Sequence, residues 1–207
     1  MSGKYTLTGE NLKTALNMLK DVTTIFDESN IKYSITAGTL LGIVRENRLL
    51  PWDRDMDLRV FSKDRKKLLK SISKIKKAGY ITRVRYQEKE DPPLKKGDAR
   101  LIKVFSKKKL FFKGEVVMDC FIATKNKDQY IWACGGERKY TKKAVPSNFY
   151  DNLEKITFNN TDYYLPAEKE EYLRFRYGDW KTPKKKWRFA KDDGAIIYTD
   201  HKPKKKK

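Results

Sequence analysis

Residues 38–57 read GTLLGIVRENRLLPWDRDMD, a glycine-threonine turn, an arginine, and then aspartates at every second position behind a tryptophan. Side chains on an extended strand alternate between faces, so Asp53, Asp55 and Asp57 are expected to project together while Met56, Leu58 and Val60 enter a core. Two carboxylates about 4 Å apart repel by roughly 4 kcal/mol at an effective dielectric near 20. A strand has no structural reason to carry that cost unless protons or a cation offset it. Oxygen-only ligands suit Mg2+ or Mn2+, and Mg2+ keeps positions open for water and substrate phosphate oxygens.

The residues just upstream supply the other half of a phosphate site. Gly38 lets an anion approach the backbone, and the turn opens a short apolar helix, 40–44, whose first N–H groups have no partner within the helix. Thr39 is expected to cap that helix. Arg45 lies one to two turns along, with a planar fork that matches phosphate oxygens better than lysine does. Trp52 can stack on a base or pack into the core, and packing is the commoner fate of a tryptophan.

Outward from this stretch, Leu12, Leu16, Leu19, Val22 and Phe26 recur at steps of three and four, predicting an amphipathic helix over 8–29. Residues 31–37 read as a strand that delivers the chain to Gly38. Leu68, Leu69, Ile72 and Ile75 mark a second helix ended by Gly79, and 80–86 reads as a strand. Strands are expected at 99–106 and 115–123, joined by a lysine-rich turn with Phe111 and Phe112. In the second of them Asp119 is a lone acid among apolar neighbours. A metal shared with Asp55 and Asp57 is the expected partner, ahead of any nearby basic residue. Then come a short strand at 130–133, a turn at Cys134-Gly135-Gly136, a hairpin of 156–158 with 163–165, and a helix from Pro166 to Tyr177 ended by Gly178.

A chain of 207 residues with 39% hydrophobic residues is long enough and apolar enough for one well-buried domain. Residues 1–190 are expected to form it and 191–207 to be a basic, flexible tail. The net charge of +21 implies attraction to anions, although lysines such as Lys63, Lys66, Lys70, Lys74 and Lys77 read as the solvated face of one helix. Cys120 and Cys134 have neither the number nor the spacing of a zinc or disulfide framework. No apolar run approaches the length of a membrane span, so a cytoplasmic, soluble protein without a signal peptide is expected.

Gly38-Thr39-Leu40-Leu41-Gly42, Arg45 and Pro51-Trp52-Asp53-Arg54-Asp55-Met56-Asp57 resemble the signature of the LicD family. Val117-Met118-Asp119 resembles the family's third acidic strand. The run Tyr164-Leu165-Pro166, Glu171-Tyr172-Leu173, Tyr177-Gly178-Asp179-Trp180 resembles its closing segment. The resemblance implies an α+β fold with a nucleotidyltransferase-like mixed sheet flanked by helices. It implies a Mg2+- or Mn2+-dependent phosphotransferase that moves a phosphocholine- or polyol-phosphate-type group from a CDP-type donor to a sugar or glycan acceptor. Asp55, Asp57 and Asp119 would be catalytic and metal-binding, with Gly38, Thr39, Arg45, Trp52 and Asp53 toward the substrate. The alternative, favoured by the charge, is a nucleotidyltransferase acting on RNA or another nucleic acid. A basic binding module without catalysis leaves three acids in a phosphate pocket unexplained.

Overall fold

The computed structural model describes residues 4–108, 112–136, 139–184, 187–188 and 191–201. The apolar stripe after Thr8 forms helix α1 (Gly9–Glu28), which buries Ala15, Met18, Leu19, Val22 and Phe26. Asn30 turns the chain at φ +49 into strand β1 (Tyr33–Ile35), and helix α2 (Ala37–Glu46) follows at once. It starts earlier than the expected 40–44, because Thr36 in extended backbone precedes it and its apolar residues Leu40, Leu41 and Ile43 are buried in the core.

Strand β2 (Met56–Phe61) runs beside β1, and helix α3 (Arg65–Lys77) crosses back with its lysines exposed. Gly79, at φ +94, ends that helix region in the left-handed conformation expected of it. Strands β3 (Ile81–Tyr86), β4 (Ala99–Lys107) and β5 (Lys113–Asn126) follow. β5 pairs parallel to β2 on one side and antiparallel to β4 on the other, with β3 outside β4. The parallel pair among antiparallel neighbours makes the sheet mixed, and the α3–β3–β4 excursion supplies the crossover such a pair needs.

β5 is 14 residues long, and its last residues, Thr124 to Asn126, leave the first group of strands to pair with β6 (Gln129–Gly136). Strand β7 (Lys139–Pro146) pairs with β6. After helix α4 (Asn148–Asp151), the hairpin of β8 (Leu153–Phe158) and β9 (Thr161–Pro166), and helix α5 (Lys169–Tyr177), the chain returns as β10 (Ile196–His201) beside β7. The fold is a single α+β unit with an eight-stranded mixed sheet and a separate two-stranded hairpin among the described residues.

Four expectations are corrected. Of the three aspartates, only Asp57 lies in β2; Asp53 and Asp55 precede it in irregular backbone after the turn at 51–52, so strand alternation does not align all three. Cys134-Gly135-Gly136 is the end of β6 rather than a turn. Pro166 ends β9, and α5 begins only at Lys169. The basic tail does not begin at 191: Asp193 is buried and 196–201 form an antiparallel strand, which the hydrogen bonds offered by β7 stabilise. Phe111 and residues 203–207 lie outside the described residues.

Candidate active site

The N-terminal end of α2 holds the acidic segment by its backbone. The Thr36 N–H donates to the Asp57 carbonyl at 3.1 Å, and the Asp57 N–H donates to the Thr39 hydroxyl at 2.9 Å. Thr39 therefore ties α2 to β2 and does not cap the helix. Thr36 is fixed from the far end of the chain: its hydroxyl lies 2.6 Å from the Tyr172 hydroxyl and 3.2 Å from that of Tyr150. Arg176 in turn donates to Tyr172 at 2.6 Å. The closing segment thus works as a brace under the acidic turn.

Gly38 has a specific steric role. A Cβ at that position would fall 2.2 Å from Asp53 Oδ2, so the glycine makes room for the Asp53 carboxylate. Arg45 is committed as well: its Nε lies 2.9 Å from Glu46 Oε1 and its Nη1 donates to the Trp180 carbonyl at 3.2 Å. Its fork holds the helix end to the closing segment, and its charge is felt by Asp53. Trp52 is not packed into the core; it is 53% exposed beside the acids.

The four acids share one field. Asp57 sits directly across from Asp119 in the parallel β2–β5 register. Burial pushes Asp53 up to about 6 against the pull of Arg45. Burial, and then the charge of Asp119, push Asp55 up to about 7. Asp57 is driven well above the usual carboxylate range by burial and then by Asp55, Asp119 and Asp53. Such a group of carboxylates holds protons near neutral pH unless a cation replaces them.

One cation is already there. Lys103, opposite Asp119 in the β4–β5 register, places its ammonium against both carboxylate oxygens of Asp119. A metal is expected ahead of any nearby basic residue as the partner of Asp119; the partner seen here is Lys103. Burial still pushes the Asp119 carboxyl up, with Lys103 pulling against it. The sequence held a signal for the pair: Lys103 is the single charge in the apolar run Leu101-Ile102-Lys103-Val104-Phe105.

A second buried charge group lies behind the closing segment and was not legible in advance. Asp193 accepts from Arg176 Nη2 at 2.7 Å and Lys143 at 2.6 Å. Burial alone would raise its carboxyl, but Arg176 and then Lys143 hold it down at about 2. Arg59, only 2% exposed, stacks its guanidinium 3.8 Å from the centre of the Trp132 ring.

The family described as LicD/FKTN/FKRP, nucleotidyltransferase domain, matches residues 30–168. The chain belongs to the LicD family. The match contains Gly38, Thr39, Arg45 and all four acids, while the closing segment from Glu171 to Trp180 lies beyond it. Among similar proteins, the uncharacterized protein RP689 of Rickettsia prowazekii is 26% identical over 96% of this chain and 62% of its own length. The human ribitol-5-phosphate transferase FKTN is 26% identical over 84% of this chain and 35% of its own. The LicD chain here thus spans less than two thirds of the length of these relatives. A solution structure of the antibiotic-resistance factor ANT(2'')-Ia overlaps 74% of this chain and 65% of that one at a TM-score of 0.43 and 15% identity, too loosely to carry an argument.

In this LicD chain the oxygen donors of Asp55 and Asp57 fit a hard divalent cation by chemistry and by their need for a counter-charge. Asp119 fits by register but is turned to Lys103. Accordingly, no group of three or more His, Cys, Asp or Glu side chains among the described residues is gathered to hold a metal as it stands. No described helix is long and apolar enough to cross a membrane.

Proposed function

We propose that this chain is a metal-dependent transferase that moves a phosphate-linked group, of the phosphocholine or polyol-phosphate type, from a CDP-type donor to a sugar or glycan acceptor. The observation that carries the reading is the register that sets Asp57 of β2 opposite Asp119 of β5, with Asp53 and Asp55 just ahead of Asp57, beside a helix start and an exposed tryptophan. Membership of the LicD family and likeness to a ribitol-5-phosphate transferase support it.

Asp55, Asp57 and Asp119 would hold Mg2+ or Mn2+. When bound, such an ion supplies neutralisation of the donor's diphosphate. The chain's residues then do three things. The Thr36 and Thr39 hydrogen bonds fix the backbone of Asp57, so that its carboxylate is positioned before the metal and donor arrive. Asp53, partly protonated near pH 6, is placed to accept the acceptor hydroxyl's proton or to orient that hydroxyl. Trp52 offers its exposed ring to the donor base. Positioning and charge stabilisation carry phosphoryl-type transfer, so no nucleophilic histidine or cysteine is called for.

The reading is tested by adding CTP, CDP-choline, CDP-ribitol or a UDP-sugar with Mg2+ or Mn2+ and following the melting temperature, since a ligand of the native state stabilises it by mass action. Stabilisation by a CDP-linked compound only when metal is present supports the proposal. Stabilisation by single-stranded RNA that vanishes with salt, and none by nucleotides, would favour the nucleic-acid reading suggested by the exposed lysines of α3.

A further inference from the structure

Lys103, Asp119 and Asp57 stand side by side across three strands. Lys103 of β4 is paired with Asp119 of β5, and Asp119 with Asp57 of β2. Residues directly opposite in a sheet project to the same face, so the three side chains share one row. At the middle of the row Asp119 spends both oxygens on the Lys103 ammonium, and the two side chains are only 7–8% exposed. Asp55 feels the charges of both Asp119 and Lys103, so the ammonium stands at the edge of the acidic group rather than apart from it. Two further cations near the group are held elsewhere, Arg45 by Glu46 and Trp180, and Arg59 over Trp132.

A divalent ion held by Asp119 would need the same carboxylate oxygens that Lys103 occupies. We propose that Lys103 is a positioning residue, a built-in counter-ion that holds the Asp119 carboxylate in the metal-free protein and that a divalent cation displaces from Asp119 on binding. The proposal rests on the metal-site reading above and adds a competitor to it. A lysine suits this role, because a compact ammonium on a flexible four-carbon stem can leave a carboxylate that a guanidinium would grip with two prongs. Displacement sets the metal affinity: the ion must outcompete a buried pair, so the site loads only at cation concentrations high enough to do so.

The test is Mn2+ binding without nucleotide, by titration calorimetry, for wild type and Lys103→Met, a variant of similar length and no charge. Competition predicts that Lys103→Met binds Mn2+ more tightly, by about tenfold or more, since one close charge pair is worth a kcal/mol or more at protein dielectric. Equal or weaker binding in the variant overturns the proposal and leaves the metal reading standing. No Mn2+ binding in either protein sinks both. Because Lys103→Met leaves Asp119 buried without a partner and can fail to fold, a second measurement uses wild type alone. Reductive methylation followed by mass spectrometry reads the reactivity of Lys103, which should be slow without Mn2+ and rise when Mn2+ is added. An unchanged rate across saturating Mn2+ overturns the displacement.

Discussion

The Thr39 hydroxyl accepts the backbone N–H of Asp57 at 2.9 Å, a bond that locks the start of β2 to the helix before it. Thr39→Val keeps the shape and removes the acceptor, leaving a backbone donor without a partner, which typically costs about 1–3 kcal/mol. Thr39→Ser, which keeps the hydroxyl, should lie closer to wild type. Urea unfolding of the three proteins checks this, and a valine variant as stable as wild type would mean that the bond contributes nothing.

Asp57 and Asp119 should respond in opposite ways to the same chemical change. Asp57→Asn in metal-free protein relieves repulsion among the acids and should leave stability unchanged or slightly raised. Asp119→Asn strands the buried Lys103 ammonium and should lower stability by about 3–5 kcal/mol. Denaturant titrations in chelator separate the two. Equal effects would show that the Lys103 pair does not set the stability of the site.

The Asp193 cluster carries a pH signature. Its carboxyl is held down at about 2 from an ordinary 3.8 by Arg176 and Lys143, so the folded protein releases that proton more readily than the unfolded chain. Stability from this group is fully present above pH 4 and is lost as pH falls through about 2; the shift corresponds to about 2 kcal/mol. The melting-temperature gap between wild type and Asp193→Asn should be constant from pH 5 to 7 and narrow below pH 4. A gap that stays constant down to pH 3 contradicts the assignment.

Two-residue spacing and the isolation of one acid single out Asp55, Asp57 and Asp119 in the sequence, and the β2–β5 register sets Asp57 opposite Asp119. Local periodicity also located α1, α3 and β5 correctly, since their apolar faces repeat over many residues. It failed at β7 and β10. No element is expected over 139–146, yet Lys142 pairs with Asp91 and Lys143 with Asp193. Partners at long sequence distance supply what composition cannot show. The same holds for Lys103, whose neighbour Asp119 was visible but whose register opposite it was not. Thr39 illustrates the reverse error: a residue type suited to capping is used here for tying α2 to β2.

Trp52 offers a substrate-side test that leaves the fold alone. Its side chain is half exposed, so Trp52→Ala should change stability by less than about 0.5 kcal/mol. If the ring stacks on the donor base, nucleotide affinity should fall by about 1–3 kcal/mol. Calorimetry with the nucleotide that raises the melting temperature most reads both quantities. Unchanged affinity would remove Trp52 from the donor site.

The most direct test of the account is release of the nucleoside monophosphate from a CDP-linked donor, followed by chromatography with a sugar acceptor present. Wild type, Asp57→Asn and Asp119→Asn are each assayed in Mg2+, in Mn2+ and in chelator. The account predicts that CMP appears only with wild type and only with metal. Release that survives the chelator, or that persists in Asp57→Asn, would contradict it.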